Sequence, residues 1–205
     1  MKIKKIKLER ELAIMMSAFD IIGLSLVLVM AFMIQVISHE LPCPLCLLQR
    51  IGLLGMAFGA TLNLQFGLRP SHYALSFLSA LYLVIVACRQ ILLHIAPDDS
   101  GYGMAIAGLH LYTWSCLLGI GFIAWTVFGM LLDHQFTEKP YSIYHLFDKK
   151  KAVKRLAQCL MLCVMALSAI NAVTTFLECG VSQCPDNPTQ YRYAEQYPWQ
   201  PLNVI

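Results

Sequence analysis

In the stretch "HELPCPLCLLQR", residues 39–50, Cys43 and Cys46 stand two residues apart and are followed by a fixed positive charge at Arg50. A ring closed between such near neighbours restrains almost no chain, so little stability follows from it; the bond is of more use if it opens and closes. Pro44 has the φ favoured at a first helical position, so a helix starting there makes Cys43 its N-cap and puts Cys46 in its first turn. Free N–H groups and the positive end of the helix dipole then point at both sulfurs, which stabilises a thiolate and makes the pair reactive. Arg50, four residues after Cys46 and seven after Cys43, projects from nearly the same face. Two thiols and a cation on one face are the arrangement expected where a thiolate meets an acceptor that becomes an anion as it takes electrons.

The elements that carry these residues are membrane spans. Of the 205 residues, 58% are hydrophobic and 13% charged, with a mean hydropathy of +0.62, above the roughly 45–50% apolar share of an ordinary soluble domain. Stretches free of Lys, Arg, Asp and Glu run over 21–39, 51–68, 70–88, 100–132 and 156–177. A spanning helix needs about 20 apolar residues, and lipid leaves no partner for an unpaired backbone group, so each stretch is expected to be helical throughout. The fold class is therefore all-α, a polytopic membrane helical bundle. Its membrane domain covers 1–177, with five spans near 15–37, 50–68, 72–93, 104–132 and 154–177, and a tail follows over 178–205. The opening "MKIKKIKLER" has the charge of a signal-peptide n-region, but no small-x-small cleavage site follows, so it reads as the start of an uncleaved first span.

Basic residues set the orientation. Lys2, Lys4, Lys5, Lys7 and Arg10 precede span 1, Arg69 lies between spans 2 and 3, and Lys139, Lys149, Lys150, Lys151, Lys154 and Arg155 lie between spans 4 and 5. That side is read as cytoplasmic, which leaves Arg50, Arg89 and Arg192 elsewhere and puts the C-terminal tail outside. The cysteines then sort by depth. Cys43 and Cys46 lie at the outer mouth of span 2, and Cys179 and Cys184 lie just past span 5. Cys88, Cys116, Cys159 and Cys163 fall inside spans, where a thiol packs as a small hydrophobe. Two pairs facing an oxidising compartment suggest disulfides, and a structural staple suits the tail pair, "ECGVSQCPDNP", better than it suits Cys43 and Cys46.

Arg50 has two readings, a charge that snorkels to the outer headgroups or a functional group within the membrane. Beside two thiols the second is favoured. A soluble oxidant needs no such depth, whereas a quinone diffuses in the bilayer, and its reduction develops negative charge that a guanidinium stabilises. Arg89, Gln90 and His94 in "CRQILLHI" and His110 in "GLHLYTW" lie at a similar level and support a polar pocket there. The Tyr- and Pro-rich end, "TQYRYAEQYPWQPLNVI", reads as an aromatic anchor at the membrane interface.

The stretches "ELPCPLCLLQR", "RQILLHI", "GYGMAIAGLHLYTW" and "LECGVSQCPDNP" together resemble the bacterial disulfide bond formation protein B (DsbB) family of quinone-dependent membrane thiol oxidases. The resemblance runs from about residue 20 to 190 and is most specific at "PCPLCLLQR"; the vitamin K epoxide reductase family, with similar chemistry but a different span order, is a weaker match. It implies a four-helix core and a relay in the bacterial inner membrane; the basic residues and the five spans put the N-terminus on the cytoplasmic and the C-terminus on the periplasmic side. A periplasmic thioredoxin-like oxidase of the DsbA type would hand electrons to an outer cysteine pair, that pair to Cys43–Cys46, and these to ubiquinone or menaquinone from the membrane pool. Cys46 would face the quinone, Cys43 would exchange with the other pair, and Arg50 would hold the quinone head, with Gln49, His94 and Arg89 as further pocket residues. Well-known members carry the second pair between spans 3 and 4, where this chain has the short, cysteine-free "APDDSGYG". The shuttle role therefore passes to Cys179–Cys184, beyond an added fifth span.

Two other readings stand beside this one. The first is a dedicated sulfhydryl oxidase for one periplasmic partner, and the second a non-enzymatic membrane scaffold stapled by disulfides. A metal site is disfavoured, because no His–Cys cluster has the short regular spacing such sites use, and no nucleic-acid partner is expected.

Overall fold

A computed structural model of the chain describes residues 2–38, 40–96, 98–99, 101–136, 142–143, 151–185, 188 and 191–192. It is an all-α bundle with five helices long and apolar enough to cross a membrane. The helices are α1 (Lys2–Ile37), α2 (Pro44–Phe66), α3 (Pro70–Leu93), α4 (Leu111–Met130) and α5 (Lys151–Cys179). The interfacial anchor expected of the aromatic end falls outside the described residues from 193 onward.

Each helix boundary has a local cause. Pro44 opens α2 in the first-turn position, with Cys43 extended at φ −66° and ψ 161° as its cap. Gly67, at φ +97°, closes α2 in a conformation that disfavours a side chain, and Pro70 starts α3 three residues later. The tight corner between them is tied by Asn63, whose Oδ1 accepts the Arg69 N–H at 3.2 Å.

The expected span 104–132 is shorter than its charge-free stretch. Residues 105–110 form a hairpin instead, β1 (Ala105–Ile106) pairing antiparallel with β2 (Leu109–His110). Its turn residues Ala107 and Gly108 have φ of +54° and +80°, as a two-residue turn matched to strand twist requires. At the other ends, α1 and α2 begin earlier than expected, and α5 carries through to Cys179, so that cysteine is helical and not in the tail.

Helix α2 is the centre of the bundle. More than half (56%) of its apolar window is inside the protein, against 22% for α4 and 17% for α5, and it packs against α1, α3 and α5. On α1, Ile14, Ile21 and Leu28 recur at seven-residue intervals and are fully buried, while Phe19, Leu26 and Met33 recur on the lipid side and are exposed. Between α2 and α3 the approach is set by glycines. A Cβ at Gly52 would lie 2.9 Å from the Leu83 Cβ, and one at Gly59 would lie 2.8 Å from the His72 carbonyl oxygen. Helices in lipid gain nothing from hiding apolar surface from each other, so close contact through small residues supplies the attraction.

Replacing Gly59 by Ala therefore forces α2 and α3 apart and is expected to cost about 1–3 kcal/mol. Gly121→Ala, where nothing lies within 4 Å of the added carbon, leaves stability unchanged or raises it by up to about 1 kcal/mol. Thermal unfolding of both variants in detergent checks the contrast.

Candidate thiol site

The cap of α2 is a sulfur. Cys43 Sγ accepts the Cys46 N–H at 3.1 Å, and both thiols are free. A side-chain amide from α3 reaches across to them. Gln90, 1% exposed, donates from Nε2 to Cys43 Sγ at 3.3 Å and to Cys46 Sγ at 3.6 Å. Its Oε1 accepts Gln49 Nε2 at 2.6 Å and lies 3.9 Å from Cys46 Sγ. Two sulfurs within one turn cannot both carry negative charge at low cost. Accordingly, the neighbouring Cys46 sulfur, and then burial, push the Cys43 thiol well above its ordinary range.

Arg50 does not snorkel. It is 7% exposed; its Nη1 donates to Gln35 Oε1 at 2.7 Å and its Nη2 to the Ala31 carbonyl at 3.2 Å. The guanidinium also lies 4.7 Å from the centre of the Phe32 ring. Three residues of α1 thus hold the cation about a turn below the sulfurs, and Gln35 is fixed in turn by donating to Tyr191 Oη at 2.9 Å.

Two cavities meet at the cysteine pair. One, of about 620 Å³, is walled by apolar side chains of α1 and α4 and lined at its polar end by Cys46, Gln49 and Arg50. The loop and hairpin between α3 and α4 cover it with Tyr102, Gly103 and Ile106. Tyr102 is anchored by donating to the Leu41 carbonyl at 2.6 Å, and Trp114 Nε1 donates to the Ile106 carbonyl at 3.0 Å. The other cavity, of about 760 Å³, is lined by Cys43 and Cys184, with Arg89, Gln90 and His94 from α3 and Thr175 from α5. Cys184 is disulfide-bonded to Cys179.

The expected site residues therefore divide. Cys46, Gln49 and Arg50 share the first cavity, and Cys43, Cys184, Arg89 and His94 share the second. Arg89 and His94 are not brought to the wall beside Arg50. His94 Nδ1 is 2.9 Å from Asp99 Oδ2, and its ring stacks at 5.7 Å on Tyr112, which does line the first cavity. Asp99 is held below the usual carboxylate range by the Gly101 N–H and then by His94. His110, expected early in a span, sits in the hairpin and stacks on the other side of Tyr112 at 5.2 Å.

Sequence reasoning sets Gln90 among the outer polar groups without joining it to the sulfurs, and it misses Gln35 and Tyr102. Gln35 carried a signal, being the only amide side chain between 21 and 38. Of the four span cysteines, Cys88 and Cys116 meet at 3.5 Å between α3 and α4, whereas Cys159 is exposed and Cys163 half-buried on α5. Among the described residues no three His, Cys, Asp or Glu side chains converge as a metal site would need.

Removal of the bridging amide in Gln90→Leu leaves the buried Gln49 donor without its acceptor, at an expected cost of about 1–3 kcal/mol. The double variant Gln49→Leu, Gln90→Leu recovers most of that loss, since both partners are then apolar. Chemical denaturation in detergent of the two single variants and the double variant checks this.

The family model of Disulfide bond formation protein DsbB matches residues 14–129, a stretch that contains Cys43, Cys46, Gln49, Arg50, Gln90, the hairpin and nearly all of α4. No curated protein and no solved structure matched the chain. Helix α5 and the Cys179–Cys184 disulfide lie beyond the matched residues. With more than half of the chain matched and a free dithiol at the cap of a membrane helix, this chain belongs to the disulfide bond formation protein DsbB family, multi-pass membrane thiol–disulfide oxidoreductases.

Proposed function

We propose that this chain is a quinone-dependent thiol oxidase of the bacterial inner membrane. It reoxidises a periplasmic thioredoxin-like oxidase of the DsbA type, with electrons passing through Cys179–Cys184 to Cys43–Cys46. The observation that carries this reading is the division of the dithiol between two cavities: Cys46 opens on the one that holds Arg50, and Cys43 on the one that holds Cys184. A relay needs one sulfur turned to each neighbour, and a simple staple has no use for such a division.

The first cavity suits ubiquinone or menaquinone in its chemistry. Its walls are apolar, as an isoprenoid quinone requires, and its polar end presents a cation and an amide beside the reactive sulfur. A quinone held there would take two electrons and two protons from the dithiol. Arg50, fixed by Gln35 and Ala31 before any ligand arrives, offsets negative charge at Cys46 and beside it without reorganising. Gln49 is oriented by Gln90, and Tyr112 by the rings of His94 and His110. In the second cavity, a Cys184 thiolate released by the partner attacks the Cys43 sulfur of the Cys43–Cys46 disulfide. Cys179 then displaces Cys43, which closes Cys179–Cys184 and leaves the inner pair reduced. Arg89, on the same wall, supplies positive charge for the thiolates in that exchange, and His94 lines the wall beside it.

The orientation follows from charge. Arg69 and the Lys154–Arg155 end of α5 lie at the opposite end of the bundle from the sulfurs, which supports a periplasmic sulfur end. One observation favours a narrower reading of the partner: the second pair rides on a helix outside the matched family residues, which suits a dedicated substrate in place of a general oxidase.

In cells deprived of quinone, Cys43 and Cys46 are expected to become alkylated and to be protected again when quinone is restored; a pair that stays oxidised in both conditions overturns the reading. Cys46→Ser abolishes quinone reduction. Arg50→Leu removes a charge-assisted contact of about 1.5–3 kcal/mol and raises the quinone KM roughly 10- to 100-fold, with little effect on exchange with the protein partner. Cys184→Ser blocks electron delivery yet leaves Cys43–Cys46 oxidisable by quinone, and trapping a mixed disulfide through the remaining Cys179 identifies the partner by mass spectrometry.

A further inference from the structure

Tyr191 and Arg192 stand seven and eight residues past Cys184, outside the stretch that the family model matches. Their side chains grip one cavity each. Tyr191 Oη accepts from Gln35 Nε2 at 2.9 Å, and Gln35 lies in the wall of the first cavity with Cys46 and Arg50. Arg192 Nη1 donates to Ser182 Oγ and, at 3.1 Å, to the carbonyl of Gln183, a residue that lines the second cavity with Cys184. Two neighbouring residues of the tail thus tie the loop closed by the Cys179–Cys184 disulfide to helix α1.

The amide of Gln35 is 5% exposed and has both of its ends occupied. A guanidinium offers donors and no acceptor, so only Oε1 of the amide can face Arg50, and Nε2 must find an acceptor on its other side. Tyr191 Oη is that acceptor. Without the hydroxyl, the orientation that serves Arg50 leaves a buried donor unpaired. Turned over, the amide sets N–H against N–H and takes the acceptor away from Arg50 Nη1. The guanidinium then keeps only the Ala31 carbonyl and the Phe32 ring as contacts from α1.

We propose that Tyr191 is a positioning residue for Arg50: its hydroxyl sets the Gln35 amide, and the amide holds the guanidinium at the polar end of the first cavity. The inference rests on the relay reading for what Arg50 does once it is fixed. Tyr191 itself exchanges no bond, proton or electron; it bears on the quinone only by way of Gln35 and Arg50. Residues 14–129 therefore do not build the polar end of the cavity alone, because the tail that carries the second cysteine pair returns to complete it.

Nuclear magnetic resonance of the full-length protein in detergent micelles, with isotope-labelled arginine guanidinium groups, tests this without quinone or partner. A guanidinium held at both Nη positions rotates slowly, so the wild type is expected to show separate Nη signals for Arg50, assigned by their loss in Arg50→Lys. In Tyr191→Phe they merge into one averaged signal, as they do in Gln35→Leu. In quinone-reduction kinetics Tyr191→Phe raises the quinone KM about 3- to 10-fold and leaves kcat in place, as loss of one hydrogen bond behind a binding group requires. The double variant Gln35→Leu, Tyr191→Phe raises KM no more than Gln35→Leu does, because the tyrosine acts through the amide. Nη signals already averaged in the wild type, signals that stay separate in Tyr191→Phe, an unchanged KM in that variant, or KM increases that add in the double variant overturn the proposal. A wild type that does not reduce quinone defeats the relay reading instead, and the Nη signals then judge Tyr191 by themselves.

Discussion

The amide of Gln90 lies where α2 and α3 meet, with a sulfur pair on one side and the Gln49 amide on the other. Its Nε2 faces Cys43 and Cys46, and its Oε1 accepts from Gln49. Because it is 1% exposed, each of these contacts replaces one that water would have made, so the residues around it are held by the need to keep it satisfied. Orientation of the reactive pair, of Gln49 and of the partition between the two cavities all follow from where this one side chain sits.

Gln90 can only reach the sulfurs because α3 lies close against α2. The glycines at 52, 55 and 59 remove the side chains that would hold the helices apart, and Ser76 Oγ donates to the Met56 carbonyl at 3.1 Å across the seam. On the other side of α2, Arg50 is brought to α1 by Gln35 and the Ala31 carbonyl. A cation at this depth in lipid is expensive unless neighbours compensate it, so the polar contacts that bind α1 to α2 and those that shape the polar end of the first cavity are the same contacts. Packing and chemistry are coupled here by the absence of water.

The fifth helix changes what the four matched helices can do. Its Thr175 lines the second cavity, as does Cys184 just past its end, with Cys43 in the same lining. The loop and hairpin over the first cavity contain no cysteine, and hydrogen bonds through Tyr102 and Trp114 hold them down as a cover. The second cysteine pair and the cover of the first cavity therefore belong to different parts of the chain.

The sequence by itself determined the membrane bundle, its five spans and the place of the Cys43–Cys46 pair at the head of α2. Charge-free lengths near 20 residues admit little else in lipid, and the Pro44 start together with the 3.6-residue period sets Cys43, Cys46 and Arg50 on one face whatever surrounds them. Its failures were of two kinds. The 100–132 stretch lacks charge yet bends into a hairpin before α4, because absence of charge permits a span without requiring one, and Gly101, Gly103 and Gly108 supply the turns. The tertiary structure alone decided that Gln90 meets the sulfurs, that Gln35 holds Arg50, and that His94 and Arg89 face Cys184's cavity and not the one beside Arg50. Each of these depends on how far one helix is rotated about its axis relative to another. That angle is set by the packing of all five helices together and leaves no trace in the spacing of residues along any one of them.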